Sequence, residues 1–237
     1  MSSVDDTRRP LRQPRFLIVP KPGGGERRIT VVDRLDDAVY RRVVARVSRM
    51  LERVLGPEVA ANRVTAEEPF RLRSWREERW AFEGRRRALA ERSDVVVKTD
   101  VRECYPSIGP AVAETAFVRL GGGREVGSLR RMLERFGDAG VPGLPIGPAP
   151  SAVVANAVLA RVDEVVRHAR VPHLRWVDDV WAGCRNERRA AEVLDRIREA
   201  LDSIGLAVNE SKTRVMDRAE ALSLVAPGSA PDFRYSE

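Results

Sequence analysis

The stretch Leu174-Arg175-Trp176-Val177-Asp178-Asp179-Val180-Trp181 constrains the fold of this chain more than any other. Two short β-prone runs flank adjacent carboxylates, a pattern that predicts a tight hairpin with two acids at its tip. Asp-Asp alone carries little information, because Asp5-Asp6 and Asp36-Asp37 occur in the same chain. Those pairs stand in a polar tail and an Arg-rich helix. Two like charges at a junction of apolar strands repel each other, and cations placed there remove the penalty. The pattern points to a Mg²⁺ site whose other parts must come from elsewhere in the chain.

Val95 to Val101 supplies a buried strand, and its alternation puts Val96, Lys98 and Asp100 on one face. Asp100 with Lys98 beside it reads as a structural ion pair or a metal ligand. Tyr105-Pro106-Ser107-Ile108 follows, then helices over Pro110 to Leu120, closed by Gly121-Gly122-Gly123, and over Arg124 to Phe136. The loop from Gly140 to Ser151 is stiff with glycine and proline. Ser151 is the expected N-cap of a helix from Ala152 to about Ala169, and a glycine loop there lets backbone approach a nucleotide. After the Asp-Asp hairpin, Asn186 caps an amphipathic helix to Ile204, and Leu206 to Val215 reads as strand, turn, strand. The order is that of a split βαβ, ferredoxin-like α+β fold, with the hairpin set beside the strand that ends at Asp100.

Ahead of this unit, Phe16 to Val32 predicts a hairpin whose glycine tip is framed by Lys21, Arg27 and Arg28. Such a hairpin can close over a triphosphate or follow a nucleic-acid backbone. Asp33 to Leu55 is an amphipathic helix stopped by Gly56-Pro57. Between Asn62 and Arg92, Phe70, Trp75, Trp80 and Phe82 alternate with arginines. That interleaving suits single-stranded nucleic acid, but at helical spacing the core is the preferred place for these rings.

Composition narrows the partners. A formal net charge of +7 favours a polyanion, nucleic acid before membrane surface. There is no run of about eighteen apolar residues to span a bilayer. Met1 to Arg15 is polar and Arg-rich without an apolar leader core, which reads as a mobile arm of a cytoplasmic protein. Cys104 and Cys184 lack C-x-x-C spacing, so neither zinc nor a disulfide is expected. Only Lys21, Lys98 and Lys212 are lysine among the 42 Lys and Arg residues, and all three fall in the segments singled out above. That placement favours sites where a smaller, proton-releasing head is needed.

Five segments in order, from about residue 16 to 216, resemble the bacterial, retron and group II intron reverse transcriptases. Pro20-Lys21 through Arg27-Arg28-Ile29 resembles the fingers motif of that family. Asp100 to Ile108 resembles its first palm motif. Gly143-Leu-Pro-Ile-Gly147-Pro-Ala-Pro-Ser151, with Asn156, resembles the Gly-Leu-Pro-x-Gly…Ser…Ala-Asn motif. Trp176-Val177-Asp178-Asp179 resembles the aromatic-x-Asp-Asp motif, and Gly205 to Thr213 the Gly-Leu-x-x-Asn-x-x-Lys-Thr motif.

The resemblance implies reverse-transcriptase fingers at 16–94 and a palm at 95–225, with 124–150 partly a fingers-like insertion, the arm at 1–15 and a loose tail at 226–237. It implies an RNA-directed DNA polymerase that adds dNTPs to a DNA or RNA primer on an RNA template. Asp100, Asp178 and the carbonyl of Val101 would hold two Mg²⁺ or Mn²⁺ ions with Asp179 nearby. Tyr105 would exclude a 2′-hydroxyl, and Lys21 with Arg27 or Arg28 would bind the triphosphate. Gly147, Ser151 and Asn156 would line the substrate, and Lys212 would protonate pyrophosphate.

Departures from the family pattern are Ile146 in place of a glutamine and Trp176 in place of Tyr or Phe. No thumb is recognisable after the last motif, so a non-coding RNA, a partner protein or self-association is expected to hold the primer. This minimal form resembles stand-alone enzymes associated with phage defence. Template-free or protein-primed synthesis, an idle RNA-binding palm, a nucleotide cyclase and an RNA polymerase are the alternatives. The ordered motifs disfavour the cyclase, and Tyr105 disfavours ribonucleotides.

Overall fold

The computed structural model describes residues 11–21, 24–66 and 70–225, so most of the expected arm and all of the expected tail lie outside the described residues. The chain opens with an antiparallel hairpin, β1 (Arg15–Pro20) and β2 (Glu26–Val31), in register Val19 with Arg27 and Ile18 with Arg28. Helix α1 (Arg34–Val54) follows, its N-cap Asp33 accepting from the Leu35 amide and so meeting one of the unpaired N–H groups of the first turn. Val39, Val43, Val47 and Leu51 form its buried stripe at helical spacing.

Helix α2 (Trp75–Glu91) is phased by Phe82, Arg86, Leu89 and Ala90, which are buried. This phase corrects the expectation that all four aromatics of the region are core. Phe70 and Phe82 are buried, but Trp75 is 48% exposed and Trp80 83% exposed, because Trp80 falls on the side of the helix away from that stripe.

The second sheet is built from β3 (Val95–Asp100), β4 (His173–Trp176), β5 (Asp179–Cys184) and β6 (Arg214–Asp217), in the order β4-β5-β3-β6 with every neighbouring pair antiparallel. That is the strand order of a split βαβ unit. Between β3 and β4 run α3 (Cys104–Ser107), α4 (Pro110–Arg119), α5 (Arg124–Asp138) and α6 (Ala149–His168), while α7 (Glu187–Asp202) bridges β5 and β6. A single 3₁₀ turn at Glu210–Lys212 precedes β6, and α8 (Arg218–Ser223) follows it.

Alternation along the strands sorts the sheet into two faces. Val97, Val180 and Ala182 enter the large core with α6 and α7. Val96, Leu174, Trp181 and Met216 enter a smaller one with Phe82 and Leu89 of α2 and Ala221 of α8. No described helix is long and apolar enough to cross a membrane.

Helix α6 starts three residues earlier than expected. Pro148 is its N-cap and Pro150 sits in the first turn, where a missing N–H costs nothing. Ser151 is therefore not the cap. It is buried inside the first turn, its hydroxyl 3.3 Å from that of Tyr40.

Candidate active site

Pairing of β3 with β5 sets Asp100 opposite Asp179. Pairing of β4 with β5 sets Trp176 opposite Asp179, which leaves Val177-Asp178 as a two-residue turn. The three carboxylates thus meet at one end of the sheet, two on adjacent strands and one in the turn. The Val101 amide donates to the Asp178 carbonyl at 3.2 Å and ties the strand end to the turn.

Each strand-borne aspartate has its own lysine. Lys212 Nζ lies 3.1 and 3.2 Å from the two oxygens of Asp100, and Asn209 adds its side-chain amide at 3.3 Å. Lys98 Nζ lies 3.2 Å from Asp179 Oδ1, while Trp181 Nε1 donates to Asp179 Oδ2 at 3.1 Å. Asp178, in the turn, has no lysine of its own within ion-pair distance among the described residues. Burial, then the charge of Asp100 and, more weakly, of Asp179, push its carboxyl up to about 6, with Lys212 pulling the other way.

The segment after α7 is stitched over Asp100 by backbone. Asn209 N–H donates to the Asp100 carbonyl at 2.6 Å, Arg102 N–H to that of Ala207 at 2.8 Å, and the Thr99 and Thr213 hydroxyls meet at 2.8 Å. The backbone of Lys212 joins this stitching, its N–H donating to the Asn209 carbonyl at 3.0 Å.

Tyr105 is held from the opposite side, its carbonyl accepting from Leu144 N–H at 2.9 Å. A Cβ on Gly143 would stand 2.3 Å from the Pro106 carbonyl oxygen, so the loop can approach Tyr105-Pro106 this closely only with glycine there. The same loop carries the first hairpin, because Thr30 N–H donates to the Ile146 carbonyl at 2.7 Å. Gly147, at φ +128°, meets that strand, and a Cβ would lie 3.0 Å from the Thr30 carbonyl.

The two hairpin arginines separate on alternate faces of β2. Arg28 stacks on the Phe16 ring at 3.4 Å, whereas Arg27 is exposed on the other face. Lys21 is exposed at the turn, closed by Lys21 N–H to the Gly25 carbonyl at 2.9 Å.

Two of the expected substrate residues stand elsewhere. Ser151 and Asn156 are buried, Ser151 against Tyr40 and Asn156 with its amide nitrogen on the Ala61 and Asn62 carbonyls at 3.0 and 3.3 Å. Both side chains are thus enclosed by protein, each with its own partner in the core. The residue that strand patterning does not mark is Arg175. It is wholly buried beneath the turn, with Asp163 on one side and Asn156 on the other.

Among the described residues no group of three or more His, Cys, Asp or Glu side chains is gathered as a ready metal cage. Lysines balance Asp100 and Asp179 instead. The donor set still suits a hard divalent cation: it is all oxygen, and Asp178 is a half-buried carboxylate beside two others. Cys104 and Cys184 are both free and buried.

Residues 19–225 match the family model described as "Reverse transcriptase (RNA-dependent DNA polymerase)". Comparison with curated proteins finds no match. Among solved structures, the chain is similar to telomerase from Candida albicans in complex with a fragment of telomeric RNA, at 15% identity and TM-score 0.55, over 89% of this chain and 42% of that one. It is similar as well to apo telomerase from Candida tropicalis, at 14% identity and TM-score 0.59, over 92% of this chain and 46% of that one. The chain spans less than half the length of these two telomerase chains. At such identity the likeness is one of fold.

Proposed function

The chain belongs to the reverse transcriptase (RNA-dependent DNA polymerase) family, and from that membership we propose that it extends a primer 3′-end with dNTPs on an RNA template. The observation that carries this reading is the convergence of Asp100, Asp178 and Asp179 at one end of the sheet, with Lys212 at 3.1 Å from Asp100.

Two Mg²⁺ or Mn²⁺ ions held by Asp100, Asp178 and the Val101 carbonyl would activate the primer hydroxyl and steady the leaving pyrophosphate. The protein's own part is positioning and charge. Asp179 is held in place beside the other two carboxylates by Lys98 and Trp181. Lys212 is the proton donor to pyrophosphate, a task for which arginine's pKa is too high. Arg27 and Lys21, both exposed on the first hairpin, bind the triphosphate, and Tyr105 rejects a 2′-hydroxyl. The order of the five motifs supports a place in the bacterial, retron and group II intron branch. The resemblance to members associated with phage defence supports a role there, with a non-coding RNA or a protein as partner.

Primer extension tests the reading, with dNTPs or rNTPs, with and without RNA template, comparing wild type with Asp178→Ala. The expected result is dNTP-dependent, template-directed product from wild type and at least about 10³-fold less from the variant. Equal product from both proteins would overturn the catalytic reading. Wild-type product independent of template would replace copying by untemplated synthesis.

A further inference from the structure

Arg175 on β4 points away from the carboxylate face, into the core shared with α6, and is 0% exposed. A guanidinium taken out of water is costly unless its donors are met. Here they are. Nε and Nη2 grip the two oxygens of Asp163 at 2.8 and 2.6 Å, and Nη1 donates to Asn156 Oδ1 and to the Val177 carbonyl, both at 2.8 Å. Asp163 and Asn156 are seven residues apart on α6, two turns, so both face the strand.

The network is anchored at its far end too. The Asn156 amide nitrogen holds the Ala61 and Asn62 carbonyls, while Arg175 N–H donates to the Glu58 carbonyl and Ala60 N–H to the Arg175 carbonyl. Segment 58–62 therefore acts as a fixed wall behind β4.

What this framework holds is unusual backbone. Val177, the first turn residue, has φ +56°. That region is strained for a β-branched side chain and persists only where the surroundings over-determine it. The bond from Arg175 Nη1 to the Val177 carbonyl is such a determinant, and it is made one residue before Asp178. A buried ion pair serving only to join α6 and β4 would need Asp163 alone.

We propose that Arg175 is a positioning residue, which with Asp163 and Asn156 holds Val177 in its left-handed conformation and so sets where Asp178 presents its carboxylate to a divalent cation. The inference rests on the metal-binding reading above, and the test separates the two.

Mn²⁺ titration by calorimetry or electron paramagnetic resonance, on protein alone, gives a readout free of turnover. Binding by wild type that Asp178→Ala abolishes supports the site itself, and no binding by wild type overturns both readings. In Arg175→Lys the ammonium can still reach Asp163 but cannot span to the turn. We expect a native circular dichroism spectrum, Mn²⁺ affinity lower by about tenfold, and kcat lowered with little change in KM for dNTP. Val158→Ala, a core truncation on the same helix, should unfold more easily yet bind Mn²⁺ as wild type does.

The decisive arm is rescue. Glycine tolerates the left-handed turn without a clamp, so Val177→Gly in the Arg175→Lys background should restore several-fold of the lost affinity. Wild-type Mn²⁺ affinity in Arg175→Lys, an equal loss in Val158→Ala, or failure of the glycine to restore binding would each overturn the proposal. Should Arg175→Lys fail to fold, Asn156→Ala keeps the ion pair and is measured in the same way. A loss of about threefold or more supports the clamp, and unchanged affinity overturns it.

Discussion

Asp178 is an electrostatic liability to the protein that carries it. Its carboxyl is pushed up to about 6, first by burial and then by Asp100 and Asp179. The folded state thus holds this proton more tightly than an unfolded chain does. The stability of the protonated form is complete below about pH 4 and is lost as pH rises through about 6, a loss of roughly 1–3 kcal/mol after allowance for partial exposure. Asp178→Asn removes the charge. In chelator the variant should melt several degrees above wild type at pH 8 and at the same temperature at pH 4, as read by thermal denaturation at the two pH values. Equal melting at pH 8 would show that Asp178 is not strained. A second residue-scale prediction concerns Lys212, which sits on Asp100 at 3.1 Å. Lys212→Arg keeps the charge but cannot release a proton, so single-turnover incorporation should slow by about 10²-fold while primer–template affinity holds. The aspartates and the lysines were legible because each stands in a short, β-prone or turn-rich segment of its own. Arg175 was not: it bonds to residues 12 and 19 positions away on another element, in a chain where arginine is everywhere. Asn156 was read from its motif as a substrate contact; its burial and its bond to Arg175 could not be read from that motif.

At the scale of elements, the loop before α6 is the joint between the two sheets. It accepts from β2 through Ile146 and donates to Tyr105 through Leu144. Its glycines are not equivalent to those of the hairpin tip. Gly143 has φ +60° and a Cβ there would lie 2.3 Å from one carbonyl oxygen and 2.5 Å from another. Gly24 has φ +101° but nothing within 4 Å. Alanine at Gly24 pays backbone strain alone, about 1 kcal/mol, whereas alanine at Gly143 adds a clash with backbone that must displace Tyr105-Pro106. Urea unfolding should rank Gly143→Ala well below Gly24→Ala, and only the former should alter discrimination between dNTP and rNTP. Glycine and proline in the sequence identified this loop as stiff. They did not reveal where α6 begins, because proline is tolerated both before and inside a first turn. Likewise the spacing of aromatics in α2 marked a helix without fixing its phase, which Phe82 and Leu89 set against the sheet and which leaves Trp80 outside.

For the whole molecule, the charge of +7 has a consequence that no single contact carries. Some arginines are withdrawn into the interior, Arg63 on Glu52 and Arg175 on Asp163 among them. The surface left to meet a nucleic acid includes the exposed hairpin with Lys21, Arg27 and Arg28. Each phosphate neutralised releases counterions, so log K should fall linearly with log salt, and about six contacts would weaken binding roughly 10³-fold between 50 and 200 mM. Lys21→Ala with Arg27→Ala should make that slope shallower by about one unit per lost contact. Trp80 carries no charge, and whatever it contributes by stacking must appear as a displacement of the line at constant slope. Fluorescence anisotropy of a labelled RNA–DNA primer–template across that salt range measures both quantities. An unchanged slope in the hairpin variant would mean that Lys21 and Arg27 do not touch the phosphates of the primer–template.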